Sequence, residues 1–261
     1  MKSKLTNSFH WFGLGAGILL AGAPLHASDN DDRIVASAKK SYVFKTYLAH
    51  DSIKTVAEDG VVTLTGTVAD ASHKSLAEDT VEGLPGVTRV DNRLTVKGEV
   101  PSEHSNGWLM LKVKTALLFH RNVSASGTEV IVNDGVVTLR GEAGSMAQKE
   151  LTTEYAKDVE GVSAVKNEMT IGSKAAQSVE TAGEMIDDAS ITAQVKASLL
   201  AHRSTSALKT RITTRNGVVT ATGQARNAAE KSLVSKLIND IYGVKSVDNE
   251  MTVIVPSGSN N

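Results

Sequence analysis

Asp59-Gly60-Val61-Val62-Thr63-Leu64-Thr65-Gly66 returns as Asp134-Gly135-Val136-Val137-Thr138-Leu139-Arg140-Gly141, and again as Asn216-Gly217-Val218-Val219-Thr220-Ala221-Thr222-Gly223. Asp-Gly or Asn-Gly ahead of an apolar, β-branched run signals a hairpin, because these residues accept the positive φ that a two-residue turn demands. In every copy a Gly-Val pair stands 26 residues after the first glycine, at Gly86-Val87, Gly161-Val162 and Gly243-Val244. An asparagine follows six residues later, at Asn92, Asn167 and Asn249. Equal spacing in three copies defines one small module used three times, and such self-similarity takes precedence over any element-by-element reading.

Working outward, a helix precedes each hairpin. Ile191, Val195 and Leu199 form its apolar stripe in the third copy, and Leu109, Val113, Ala116 and Leu117 in the second. Asp31-Asp32 and Asp187-Asp188 stand at helix starts, where capping and the helix dipole favour carboxylates. The first-copy helix is expected to run to about Ala49, and the three helices end near His50, His120 and His202.

First strands are expected over 53–57, 129–132 and 209–213. The hairpins turn at Gly60, Gly135 and Gly217, and the second strands stop at Gly66, Gly141 and Gly223. A second helix buries Leu76, Thr80 and Leu84, then Leu151, Tyr155 and Val159, then Leu233, Leu237 and Ile241. Gly83, Gly161 and Gly243 take its left-handed C-cap. The asparagine then opens a last strand, over 92–96, 167–171 and 249–255.

The fold class is α+β: three tandem α-β-β-α-β modules over 33–97, 107–173 and 187–255, each with two helices packed on a mixed three-stranded sheet. Polar linkers and a repeat distance of 75 and 82 residues suggest beads on a string rather than a solenoid. Residues 256–261 read as a disordered tail.

Residues 1–27 read as a signal peptide cleaved after Ala27, with Lys2 and Lys4 ahead of a short apolar stretch over 12–22. The chain has no cysteine, so its folds hold without disulfides, and no Cys is present to carry a lipid anchor. Without Lys2 and Lys4, 26 basic residues face 29 acidic ones, a net charge of −3. That balance argues against nucleic acid as a partner.

No catalytic residues are assigned, because neither a nucleophile motif nor a cysteine is present, and the enzyme class is set aside. The repeated glycines lack the G-x-x-x-x-G-K-[ST] and G-x-G-x-x-G contexts, so no nucleotide cofactor is expected. The three histidines lie far apart in sequence with no second ligand set beside them, so no metal is expected. They read as cation-capable groups complementing helix C-termini.

The spaced set D/N-G-V-V-T-x-x-G, G-V and the later Asn resembles the BON domain (bacterial OsmY and nodulation). It covers nearly all of the chain after the leader. The resemblance implies a protein exported to the bacterial periplasm and linked to osmotic and envelope stress. It also implies association with phospholipid membranes or chaperone work. A lipid site needs apolar residues beside basic ones, and Lys231, Lys236, Tyr242 and Lys245 around the last helix are the residues chosen for it. The implied partner is an anionic phospholipid surface; the alternative is a periplasmic protein client bound by a chaperone or adaptor.

Overall fold

The computed structural model describes residues 29–98, 101–172 and 186–254. The leader at 1–27 and the tail at 256–261 lie outside the described residues. Module 1 comprises α1 (Asp29–Lys40), α2 (Tyr42–Thr46), β1 (Ser52–Glu58), β2 (Val61–Val68), α3 (Ala71–Glu82) and β3 (Arg89–Val96). Module 2 comprises α4 (Asn106–Leu118), β4 (Thr128–Asn133), β5 (Val136–Ala143), α5 (Met146–Lys157), β6 (Ala164–Asn167) and β7 (Thr170–Ile171). Module 3 comprises α6 (Asp188–Ala201), β8 (Thr210–Arg215), β9 (Val218–Ala225), α7 (Ala228–Asn239), β10 (Ser246–Asn249) and β11 (Thr252–Val253). In each sheet the middle strand pairs antiparallel with its hairpin partner and parallel with the last strand, giving the mixed sheet that the repeat implies.

The hairpin strand does not stop at its glycine. It runs two residues further, to Val68, Ala143 and Ala225, with Gly66, Gly141 and Gly223 inside it at φ 120°, 119° and 123°. The reason is close backbone approach: a Cβ on Gly141 would lie 2.0 Å from the Gly127 carbonyl oxygen.

The asparagine does not open the last strand either. It lies inside β3 and ends β6 and β10, and its side chain does the same work three times. Asn249 Nδ2 donates to the Lys231 carbonyl at 2.8 Å and to Ser235 Oγ at 2.8 Å, while its Oδ1 accepts from Met251 N at 3.1 Å. Asn167 and Asn92 repeat this bridge from strand to helix. In modules 2 and 3 the strand is interrupted beyond it, as β6 and β7 and as β10 and β11, whereas β3 runs on unbroken.

The acidic helix starts serve the hairpins as much as the helices. Asp31 accepts from the N–H groups of Asp59 and Gly60, Asp188 from those of Asn216 and Gly217, and Asn106 from Asp134 N. Asp187 is a true N-cap, accepting from Ser190 N at 2.9 Å. Two further expectations change. The C-caps are Gly83, Asp158 and Asp240, all right-handed, and the left-handed glycines Gly86, Gly161 and Gly243 stand three residues further on, so Gly161 and Gly243 are not the caps expected of them. The first helix breaks at Ser41, whose Oγ donates to Ala38 O and accepts from Phe44 N.

That break ties modules together. The freed N–H groups of Tyr42 and Val43 donate to Asp187 Oδ2 at 2.8 Å and Ser190 Oγ at 3.1 Å in module 3. Modules 1 and 3 share one apolar core, which module 2 enters through buried Phe119, packed edge-on against Tyr47 at 5.1 Å. The beads-on-a-string expectation therefore fails. Its cause is α6, buried on every side from Ala189 to Val195 and again at Ser198, Leu199 and Ala201. Module 1 can approach it so closely because Gly83 has no side chain: a Cβ there would lie 3.2 Å from Ala189 Cα.

Gly141→Ala should therefore cost roughly 3 kcal/mol or more, combining positive-φ strain with displacement of a neighbouring strand. Gly98→Ala, at φ +75° with nothing within 4 Å of its Cβ position, should cost only about 1 kcal/mol. Urea denaturation of the two variants measures the difference, and equal losses would contradict the close-approach account.

Candidate functional site

The four residues chosen from sequence do not converge. Lys231 and Lys236 are five residues apart on α7, about 140° around a helix of 3.6 residues per turn. Lys236 faces a cleft of about 470 Å³ that also contains Tyr155, His202 and Leu233. Lys245 lies beyond the helix, its backbone N–H on the Gly217 carbonyl. Tyr242 is partly buried, with its backbone N–H donating to the Phe119 carbonyl of module 2 at 3.2 Å.

The histidines converge instead, two of the three. His120 and His202 are 1% and 2% exposed, with ring centroids 5.7 Å apart, whereas His50 is exposed. They do stand at the helix ends that the sequence gives them, but each of those ends is covered by the other module. His120 pairs with Ile241 and His202 with Val159 in matching antiparallel bridges. Arg121 N donates to the Asp240 carbonyl and Arg203 N to the Asp158 carbonyl, both at 2.8 Å. The side chains repeat the exchange. His202 Nδ1 lies 3.1 Å from Asp158 Oδ2, and His120 Nδ1 lies 3.2 Å from Asp240 Oδ2, off the hydrogen-bonding direction. Modules 2 and 3 thus form a two-fold-like pair around a buried polar knot.

Tyr155 and Ser198 complete it. The Tyr155 hydroxyl donates to Asp240 Oδ2 at 2.7 Å, and its ring stacks tilted on His120 at 4.2 Å. Ser198 Oγ bonds His120 Nε2 at 2.9 Å. Burial, then the Asp240 carboxylate, pushes the Tyr155 phenol far above its ordinary value. Burial pulls the His120 imidazole below its ordinary value; Asp240 opposes this without cancelling it, and His202 adds to it. Burial alone would raise Asp158, but hydrogen bonds from His202 and Ser204 and the charge of Arg203 hold it low.

Sequence spacing carried a sign of this pairing. Three residues before the turn glycine stand Asp158 and Asp240 in modules 2 and 3, but Gly83 in module 1. From histidine to hairpin glycine the count is 15, 15 and 10.

A second concavity of about 610 Å³ lies where all three modules meet. Its walls are mostly apolar: Val96, Pro101, Trp108, Met110, Leu111 and Leu200, the last 51% exposed. Lys97 and Lys112 stand on its lining, and the Lys112 ammonium lies 4.4 Å from the Trp108 ring centroid. Among the described residues no group of three or more His, Cys, Asp or Glu could hold a metal, and no helix is long and apolar enough to cross a membrane.

The BON domain profile matches residues 30–98, 105–173 and 187–254. The chain belongs to the BON domain family. Osmotically-inducible protein Y of Escherichia coli K12 is 29% identical over 190 residues, which is 73% of this chain and 92% of that protein. The 21 kDa hemolysin of Actinobacillus pleuropneumoniae is 32% identical over 115 residues, 43% of this chain and 59% of that protein. Outer membrane lipoprotein DolP of Haemophilus influenzae is 29% identical over 119 residues, 45% of this chain and 61% of that protein. The chain thus spans about three fifths of the length of the latter two. Repeated BON domains explain the shared scaffold bonds; the histidine knot joins histidines that recur at the helix ends to partners, Asp158, Asp240, Tyr155 and Ser198, that module 1 lacks.

The knot makes stability acid-sensitive. Because folded His120 binds its proton more weakly than the unfolded chain does, the unfolded state gains protons first as pH falls. Stability is lost below pH ~6.5, and the low Asp158 adds a further loss only below about pH 4. Between about pH 7.5 and 5 the Tm should fall, most steeply below pH ~6.5. His120→Gln should flatten that dependence; a parent protein indifferent to pH across this range would refute the reading.

Proposed function

We propose that the chain is an exported, non-enzymatic binding protein of the bacterial periplasm that associates with phospholipid membrane surfaces during osmotic and envelope stress. The names of the E. coli and H. influenzae relatives support the stress and envelope parts of this reading. The sequence signal over 1–27 supports export, with a mature chain starting at residue 28.

The observation that carries the membrane part is the apolar groove at the three-module junction. Trp108, Met110, Leu111 and Leu200 give a continuous apolar seat for acyl carbon, and Trp is suited to the boundary between headgroup and hydrocarbon. Lys97 and Lys112 stand on its lining with Asp70, Asp79 and Glu103, and Lys112 is held by Glu160 at 3.3 Å, so Lys97 is the cation left to meet an anionic headgroup there. A single shallow site binds weakly, which suits a reversible surface association. Lys231, Lys236 and Lys245 contribute general attraction to an anionic surface from a separate part of module 3.

Trp108 is one of two tryptophans in the sequence, and Trp11 belongs to the leader. In residues 28–261 its emission therefore reports directly on the groove. Anionic vesicles should bind at low salt and shift that emission to the blue, while neutral vesicles should bind weakly. Leu200→Glu should reduce binding about tenfold, a loss of ~1.4 kcal/mol, with the Tm nearly unchanged because the side chain is half exposed. Absence of vesicle binding at any salt, together with suppression of client aggregation, would replace the membrane reading with a chaperone one.

A further inference from the structure

The three modules present the same edge strand with different chemistry. Along its outward face β1 carries Lys54, Val56 and Glu58, and β4 carries Glu129, Ile131 and Asn133. On β8 and the residue before it that face carries Lys209, Arg211, Thr213 and Arg215. Lys209, Arg211 and Arg215 are all exposed, and none is in an ion pair among the described residues. Only module 3 has a row of like charges along this edge, three cations against one carboxylate on β4 and a mixed pair on β1.

The backbone of that edge is open as well. Among the described residues β8 pairs on one side only, with β9. The hairpin closes with Arg215 opposite Val218 across the two-residue turn Asn216-Gly217. A closing pair of this kind is hydrogen-bonded, and bonded and non-bonded pairs then alternate along the strand. Ile212 and Thr214, opposite Ala221 and Val219, therefore direct their N–H and C=O groups away from β9.

Beside the edge runs a groove of about 1250 Å³, walled by β8, by Asp188, Thr192 and Lys196 of α6, and by the end of α3. Its other charges are already engaged. Lys196 is held by Asp79 at 3.0 Å and Glu82 at 2.9 Å, and Asp188 by the hairpin N–H groups. At one end Leu208 is 93% exposed, an unusual position for a large apolar side chain.

We propose that β8 is the docking edge for an extended acidic polypeptide segment, which adds to the module 3 sheet as a further strand. Its backbone would meet Ile212 and Thr214, its carboxylates Lys209, Arg211 and Arg215, and an apolar residue Leu208. Six residues of strand span about 20 Å, the length of this edge. A headgroup plane could touch the arginine tips, but it offers no linear row of amides and carbonyls to the backbone. The site is separate from the apolar groove around Trp108, so the two proposals succeed or fail independently.

The test uses residues 28–261 and a short fluorescent peptide alternating Glu and Val, followed by anisotropy. Saturable, salt-sensitive binding is expected, with none for the corresponding Lys-Val peptide. Methylating alternate backbone amides of the acidic peptide should weaken binding to the unaltered protein about tenfold, as lost backbone hydrogen bonds require. Arg211→Glu with Arg215→Glu should weaken it at least as much, whereas Leu200→Glu should leave it intact. Undiminished binding of the methylated peptide would reduce the face to bulk charge attraction and overturn the proposal. Failure of the peptide to bind, with vesicle binding abolished by the same arginine substitutions, would assign the face to the membrane and equally overturn it.

Discussion

Everything in this molecule is arranged around α6, a helix exposed to solvent beyond its first residue only near Lys196, Ala197 and Leu200. From Ala189 to Ala201 the only charged side chain of α6 is Lys196, and that one is tied to Asp79 and Glu82 of module 1. A helix buried over most of its circumference must find apolar or hydrogen-bonded cover in nearly every direction. Module 3 supplies one side with its own sheet, and Ile191 and Leu199, 1% and 2% exposed, each contribute roughly 1.5–3 kcal/mol by leaving water. The other sides belong to modules 1 and 2. Ser190, Gln194, Ser198 and His202 recur at intervals of four along one stripe, and three of them bond across a module boundary: Ser190 to Val43, Ser198 to His120, and His202 to Asp158.

Two classes of residue follow. Those that recur in all three copies build the module: the turn glycines, the strand glycine, the asparagine that pins the last strand to the second helix, and the Asp or Asn that holds the hairpin amides. Those that differ build the assembly. Asp158 and Asp240 reach the histidine side of the partner module, while Gly83 in the same position lets a helix backbone come within contact. A buried polar knot of this kind is weak evidence for net stability, since its desolvation cost offsets much of the attraction. Its geometry does fix the register of modules 2 and 3, because a shifted pairing would leave buried histidine and carboxylate groups without partners.

The repeat made the elements and their order legible, since turn chemistry and apolar spacing are local properties. Strand limits were less legible. A glycine reads as a stop until one sees that Ser52, Gly127 and Lys209 carbonyls press against Gly66, Gly141 and Gly223, which is a cross-strand fact. The lysines around α7 looked like one patch because sequence proximity hides the angle between Lys231 and Lys236 and the cover over Tyr242. The histidine knot depends on contacts between residues far apart in sequence, from His202 with Asp158, 44 positions apart, to Ser198 with His120, 78 apart, and Tyr155 with Asp240, 85 apart, beyond the reach of periodicity. What could have pointed to it was the departure of module 1 from the other two, and the near absence of charge in α6.

Packing of three BON domains into one body also concentrates the binding surfaces. The apolar groove around Trp108 exists only where modules 1, 2 and 3 meet, so a chain of independent domains would not contain it. Cooperative unfolding is therefore the most direct measurement. Urea titration of residues 28–261 can be followed by Trp108 fluorescence, which reports on module 2 and the junction, and by far-ultraviolet circular dichroism, which reports on all three modules. The two curves should coincide as one two-state transition. A Trp108 transition separated from the main loss of secondary structure would show that module 2 folds apart from α6, and would contradict the account.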